Sequence, residues 1–196
     1  MKVLTKNKEL ILATSSQTRI NMMKTYEKNF IIKAHTVDET KLKKQNIPVI
    51  DCVRNIAEAK AKSLEHIYPD HKIIGSDQML VCRNEIFNKP KSENQAIENL
   101  MKLQNNVHSL YSAIVVIQNK HICYELVREA KLFFKSMSED DIKKYIKKNK
   151  SAVFSSVGSY KIEENDKFKF VEILSGDEET IVGFPISRFF KETKGD

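Results

Sequence analysis

The sequence predicts an α/β fold built on a mixed β-sheet flanked by helices. Two observations carry that reading. Short apolar runs alternate with segments whose apolar residues recur at helical spacing, the pattern of strand–helix units. The long stretch "HSLYSAIVVIQNKHICYELVREAKLFF" reads instead as two strands joined at Asn119-Lys120, a hairpin that makes its pair antiparallel. One domain over residues 1–196 is expected, with two lobes around a central cleft.

The elements follow in order. Residues 9–13 read as a first strand and 17–28 as a helix with Ser15 or Ser16 as N-cap. Residues 30–36 look extended, and "VDETKLKKQNIP" reads as a polar loop. Residues 51–68 form a strong amphipathic helix. Residues 72–76 make a second apolar strand and 78–87 a further extended stretch. In the helix 92–104, Ser92 and Gln95 have the spacing of a capping box. After the hairpin, "SEDDIKKYIKKNK" opens with Ser138, places acids in its first turn and lysines in its last, and so complements a helix dipole. Short strands are expected near 159–163 and 168–174, and "TIVGFPISRFF" enters a final helix.

Composition narrows the function classes. The chain has 196 residues, 41% hydrophobic and 30% charged, which is globular rather than disordered composition. No stretch approaches the ~20 apolar residues of a membrane span. Leu10 to Ala13 is too short for a signal-peptide core, so a cytoplasmic protein without membrane partners is expected. Cys52, Cys82 and Cys123 are widely spaced and form no Cys-x-x-Cys pair, which argues against a disulfide framework and a structural zinc site. The net charge of +7 comes almost wholly from lysine. It favours anionic partners without choosing among nucleotides, nucleic acid and acidic membranes, and plain composition bias explains it equally well.

Four places offer chemistry. In "ATSSQTR" a strand ends in consecutive hydroxyl residues and a helix opens with Arg19 in its first turn. Backbone N–H groups, hydroxyls and an arginine there would cradle an anion, although an ordinary N-cap with a surface arginine reads the same way. On the helix 51–68, Lys60 falls near the middle of the apolar stripe of Val53, Ile56, Ala57, Ala61, Leu64 and Ile67. It either snorkels to the edge or meets an anion. Asp77, in "IIGSDQ", stands past the expected end of a buried strand, where α/β sheets place their sites, or is a turn aspartate. Lys89, in "NKP", sits in a tight turn twelve residues later and is weak alone. One acid and three cations suit binding and cleavage of a polyphosphate with a divalent metal.

These residues resemble the Maf family of nucleoside triphosphate pyrophosphatases, and the likeness runs along nearly the whole chain. "LILATSSQTR" is similar to the family's opening LILAS-x-SPRR, and "VDET" to its D-E-T. "NIAEAKAKSL" is similar to its A-x-x-KA helix, "IIGSDQ" to VIGAD-T/Q, and "NKP" to GKP. "SVGSYKIEE" and "LSGDEETIVGFPI" resemble the late GxYxIQ/E and GD-x-x-x-I-x-GLP. Gln78 and Glu163 look like the subgroup acting on 7-methyl-GTP, whereas the dTTP/UTP subgroup carries Thr and Gln there. Thr18, at a third position that differs between subgroups, matches neither. Ile20 stands where many members have a second arginine, and Asn88 replaces the glycine of GKP.

The resemblance implies an elongated, ITPase-like mixed sheet and hydrolysis of a nucleoside triphosphate to the monophosphate and pyrophosphate. It implies Ser16, Arg19, Lys60 and Lys89 at the phosphates, and Asp77 as the group that orients or deprotonates the attacking water. Glu39 and Asp77 would hold Mg²⁺ or Mn²⁺, and Thr18, Gln78 and Glu163 would bear on base choice. Family members are often dimers, so a homodimer is implied too. The rival reading is a basic, non-catalytic RNA-binding protein using residues 138–150, but the aromatic stacking motifs of common RNA modules are absent, and no stable nucleic-acid partner is expected.

Overall fold

The computed structural model describes residues 9–43, 46–164 and 169–193. The first elements are β1 (Leu10–Ala13), α1 (Gln17–Tyr26), β2 (Phe30–Lys33), α2 (Glu39–Lys43) and α3 (Val49–Lys62). Next come β3 (Lys72–Cys82), β4 (Glu85–Phe87), α4 (Glu93–Leu103), β5 (Asn106–Gln118) and β6 (His121–Phe134). The last are α5 (Glu139–Lys148), α6 (Lys150–Ser155), β7 (Val171–Ser175), α7 (Glu178–Val182) and α8 (Ser187–Thr193). The seven-stranded sheet has the order β2-β1-β3-β5-β6-β7, with β4 beside β3. β1 pairs parallel with β2 and β3, while β4 on β3 and β7 on β6 are antiparallel. The sheet is therefore mixed and flanked by helices, as the alternation and the hairpin required.

Several boundaries differ from expectation. β3 is one strand through Cys82, so Asp77 lies inside it rather than past its end. The polar pair Ser76-Asp77 resembles a turn, but both side chains are buried and bonded to other parts of the fold, so the strand continues. The turn falls at Arg83-Asn84, both with positive φ, and returns as β4. The loop 37–48 contains the short helix α2. There Asp38 Oδ1 accepts from Thr40 N at 3.1 Å, an N-cap contact. α3 ends at Lys62, and residues beyond it tighten to i→i−3 bonds, Leu64 N to Ala61 O and Glu65 N to Lys62 O.

Residues 159–163 form no strand. Gly158 and Ser159 are both left-handed, and single 3₁₀ turns occupy Val157–Ser159 and Ile162–Glu164. α6 was not anticipated. The expected final helix is α8, and an unexpected short helix, α7, precedes it, the two divided at Gly183 (φ +96°) and Pro185. At α4 only half of the capping box forms: Ser92 Oγ accepts from Gln95 N, but the Gln95 side chain accepts from Lys91 N rather than Ser92 N.

The described residues fall into two compact units, the first holding those within 9–77, 112–127 and 183–193, the second those within 78–111 and 128–182. Each has its own core. Leu12, Met23, Ile74, Ile114, Phe184 and Phe189 represent that of the first. The second packs Leu80, Leu100, Leu132 and Ile146 around an aromatic group of Phe134, Tyr145, Tyr160 and Phe170, with ring centroids between 5.1 and 5.9 Å. In the first unit α3 lies directly on β3. A Cβ at Gly75 would stand 2.0 Å from Ala57 O and 2.8 Å from Ala61 N, so only glycine permits this approach.

Candidate active site

The close approach of α3 to β3 decides what Lys60 meets. Lys60 shares its helix face with Val53, Ile56, Ala57 and Ala61, all buried, and is itself only 3% exposed. It does not snorkel out. Its Nζ lies 2.7 Å from Asp77 Oδ1 and 2.7 Å from Glu39 Oε1. One ammonium thus balances two carboxylates, one on β3 and one opening α2. Asp77 is buried, and its second oxygen, Oδ2, has no hydrogen-bond partner among the described residues.

Glu39 is half-buried and sits in a basic neighbourhood. Lys43, one helical turn on, places Nζ 3.3 Å from Glu39 Oε2. His35 Nε2 stands 3.8 Å from Oε1, while its Nδ1 accepts from Val37 N. Burial pushes the Glu39 carboxyl up, but the charge and hydrogen bond of Lys60, helped by Lys43, outweigh it and hold the pKa at about 2. His35 is pushed down, first by burial and then by the Lys60 charge.

The β1–α1 junction adds the next cation. Thr14 Oγ1 accepts from Ser16 N at 3.1 Å and shapes the turn. Ser16 is the N-cap of α1, yet its hydroxyl makes no capping bond to the first turn. Arg19 is held by two main-chain carbonyls: Nε donates to Gly183 O at 3.1 Å and Nη1 to Ser76 O at 2.9 Å. Thr18 precedes it on the same helix, half-buried, and Ile20 follows it into the core of the first unit.

The structure therefore brings Arg19, Glu39, Lys60 and Asp77 together in the first unit, with Ser16 and Thr18 beside Arg19. The other three candidates belong to the second unit. Gln78 Nε2 donates to Ile181 O at 2.8 Å and to Thr180 O at 3.2 Å. Lys89 is exposed in the turn after β4, where Asn99 Nδ2 donates to Asn88 O. Glu163 is exposed in the turn Ile162–Glu164, and the same Asn99 nitrogen donates to Ser159 Oγ at the start of that segment. His35, Lys43, Ser76 and the Gly183 carbonyl were missed by sequence reasoning. Lys43 is at i+4 from Glu39, a signal that becomes legible only if residues 39–43 are recognised as a helix.

A divalent cation fits the acid pair. Both donors are hard carboxylate oxygens, the Lys60 contacts mark a point where positive charge is favoured, and Asp77 Oδ2 is buried without a partner. Among the described residues no group of three or more His, Cys, Asp or Glu side chains could hold a metal. The protein would thus supply Glu39 and Asp77, leaving the other positions to water and substrate, as magnesium prefers.

Comparison with known proteins finds relatives along nearly the whole chain. The model of the Maf family, described as Maf-like protein, matches residues 9–195. A 7-methyl-GTP pyrophosphatase of Bartonella henselae is 32% identical over 181 residues, 90% of this chain and 90% of that protein. One of Rhizobium meliloti is 30% identical with the same coverage of both chains, 90%. A nucleoside triphosphate pyrophosphatase of Legionella pneumophila subsp. pneumophila is 29% identical over 91% of this chain and 89% of its own. Among solved structures, the Ham1 protein of Staphylococcus aureus gives a TM-score of 0.39 at 16% identity, over 66% of this chain and 72% of that one, a likeness too low to build on.

Proposed function

This chain belongs to the Maf family, and from that premise we propose that it hydrolyses 7-methyl-GTP, or a similarly modified triphosphate, to the monophosphate and pyrophosphate. The coarser activity is that of a nucleoside triphosphate pyrophosphatase, a hydrolase acting on acid anhydrides. The observation that supports this reading best is the buried Asp77 carboxylate, neutralised through one oxygen by Lys60 and left with the other unpartnered among the described residues.

A triphosphate carries about four negative charges, so cations must gather it. A guanidinium has five N–H donors, and main-chain carbonyls take two of those of Arg19, leaving the rest for phosphate oxygens. Lys60, Lys89 and the Ser16 hydroxyl complete the proposed clamp. Asp77 Oδ2 accepts a hydrogen bond from the attacking water, orients it toward the α-phosphorus and takes its proton. Lys60 stays on Oδ1 and keeps the carboxylate ionised and still. Bound at Glu39 and Asp77, Mg²⁺ or Mn²⁺ would stabilise the charge that grows on the phosphate oxygens.

Base choice rests on Glu163. A carboxylate accepts two hydrogen bonds from the N1–H and 2-amino group of guanine, and methylation at N7 makes N1–H a stronger donor. A pyrimidine offers acceptors at O2 or O4 and pairs less well. Among the described residues no helix is long and apolar enough to cross a membrane; a cytoplasmic setting is part of the proposed reading. A homodimer fits the family.

The test is a panel of canonical and methylated triphosphates with Mg²⁺ or Mn²⁺, scored by pyrophosphate release. Hydrolysis of 7-methyl-GTP is expected, abolished in Asp77→Asn. Glu163→Gln should lower the preference for 7-methyl-GTP over dTTP and UTP. A wild-type preference for dTTP and UTP would move the protein to the other subgroup. Activity surviving in Asp77→Asn would remove the carboxylate from the mechanism.

A further inference from the structure

Arg19 is aimed by two main-chain carbonyls, and one residue of β3 bears on both. Nη1 donates to the Ser76 carbonyl at 2.9 Å and Nε to the Gly183 carbonyl at 3.1 Å. Ser76 Oγ donates to the same Gly183 carbonyl at 3.2 Å. A carbonyl oxygen has two lone pairs, so it can take both donors. The three bonds close a ring through Ser76, Gly183 and Arg19, all within the first compact unit.

β1 pairs with β3 as far as Ile74, and the Ser76 carbonyl, two residues on, is taken by Arg19. Gly183 is left-handed, at φ +96°, and has no side chain to pack. Phe184 is buried in the core of the first unit and anchors the chain after it. A buried ring still leaves the preceding peptide able to turn about the chain, and hydrogen bonds set that rotation. Successive side chains of a strand leave its opposite faces. Ser76 Oγ therefore faces the Gly183 carbonyl while Asp77, next to it, turns toward Lys60. Ser76 is only 1% exposed, so water does not compete for its hydroxyl.

We infer that Ser76 is a positioning residue for Arg19. Its hydroxyl fixes the Gly183 carbonyl relative to its own carbonyl, and the two together hold the guanidinium in one orientation. Its effect is on polyphosphate affinity and not on the choice of base. The inference rests on the proposed reading that Arg19 binds phosphate.

Inorganic tripolyphosphate isolates this role, because it presents the phosphates without a base. Its affinity is measured by calorimetry in the presence of Mg²⁺ for wild type, Ser76→Ala, Arg19→Met and the double variant. Urea denaturation of each checks the fold, and kcat and KM are measured for the triphosphate panel. One net hydrogen bond corresponds to about a fivefold change in an equilibrium. With Arg19 correctly aimed in that much smaller a fraction of molecules, Ser76→Ala should bind tripolyphosphate about fivefold more weakly. KM should rise by a similar factor for every triphosphate, with kcat and the ratios between bases little changed. In the Arg19→Met background, Ser76→Ala should cost nothing further. Ser76→Cys, a weaker donor of similar shape, should fall between wild type and Ser76→Ala, and it replaces Ser76→Ala should that variant fold poorly.

Unchanged tripolyphosphate affinity in Ser76→Ala, additive losses in the double variant, or wild type that does not bind tripolyphosphate would each overturn the inference. So would a fall in kcat alone, which would move the effect to the neighbouring Asp77. Wild type that hydrolyses no triphosphate would defeat the proposed function instead, while the tripolyphosphate comparison would still decide the role of Ser76.

Discussion

Lys60 is the residue that ties the acid cluster together. A lysine carbon chain lies along the apolar face of α3, and its ammonium stands between two acids. Breaking a buried ion pair by removing one partner costs about 3–5 kcal/mol, because the other charge stays buried and uncompensated. Lys60→Met is therefore expected to lower unfolding stability by about that much, measured by urea denaturation. Lys60→Met combined with Asp77→Asn should recover part of the loss. Two other residues set the response to acid. Burial pushes His108 down to about 4, so the unfolded chain binds its proton first and stability falls between pH 6.5 and about 4. The Glu39 carboxyl is held at about 2 against an ordinary 4.5, so its contribution is complete above pH 4.5 and is lost as pH falls through about 2. Melting temperature against pH should show both windows, His108→Gln flattening the upper and Glu39→Gln the lower. At this scale the sequence was informative where periodicity applied. The stripe of α3 singled out Lys60, but nothing in spacing named Glu39 as its second partner. That pairing depends on a five-residue helix too short to leave a periodic signal.

Among elements, the packing of α3 on β3 is the contact that makes the acid–lysine cluster. Gly75→Ala would place a methyl group against Ala57 O, and backbone must move to admit it. Overpacking of this kind costs about 1–3 kcal/mol. The larger expected effect is functional: with the helix displaced, Lys60 no longer reaches Asp77, and triphosphate hydrolysis should drop at least as far as stability does. Circular dichroism and pyrophosphate release on the same sample check this. The elements also show where sequence reading works. The hairpin at Asn119-Lys120 was legible because a polar pair opening with asparagine, which tolerates a left-handed backbone, divides two long strands; both residues adopt that backbone. α5 was legible from its capping serine, whose Oγ accepts from Asp141 N. β3 was divided because a polar pair inside a strand resembles a turn until its partners are seen. Residues 159–163 look like a strand until Gly158 and Ser159 turn left-handed. At β3 the deciding contacts come from Lys60 and Gly183, far away in the chain.

For the molecule as a whole, the net charge of +7 is a long-range property that single contacts do not capture. A cationic surface raises the encounter rate with a polyanion, and salt screens it. kcat/KM for a triphosphate is expected to fall steadily as ionic strength rises from about 0.01 to 0.15 M, over which the screening length shrinks from about 30 to 8 Å. kcat should change much less. The chain path adds a constraint of another kind. It passes from one compact unit to the other after Asp77, Tyr111, Val127 and Val182. Neither unit is a continuous stretch of the gene. A recombination event that exchanged one unit for another would need matched breakpoints at all four crossings. The first crossing separates Asp77 from Gln78. New base preferences in this architecture are therefore expected to arise by point substitution at residues such as Glu163, rather than by shuffling of segments.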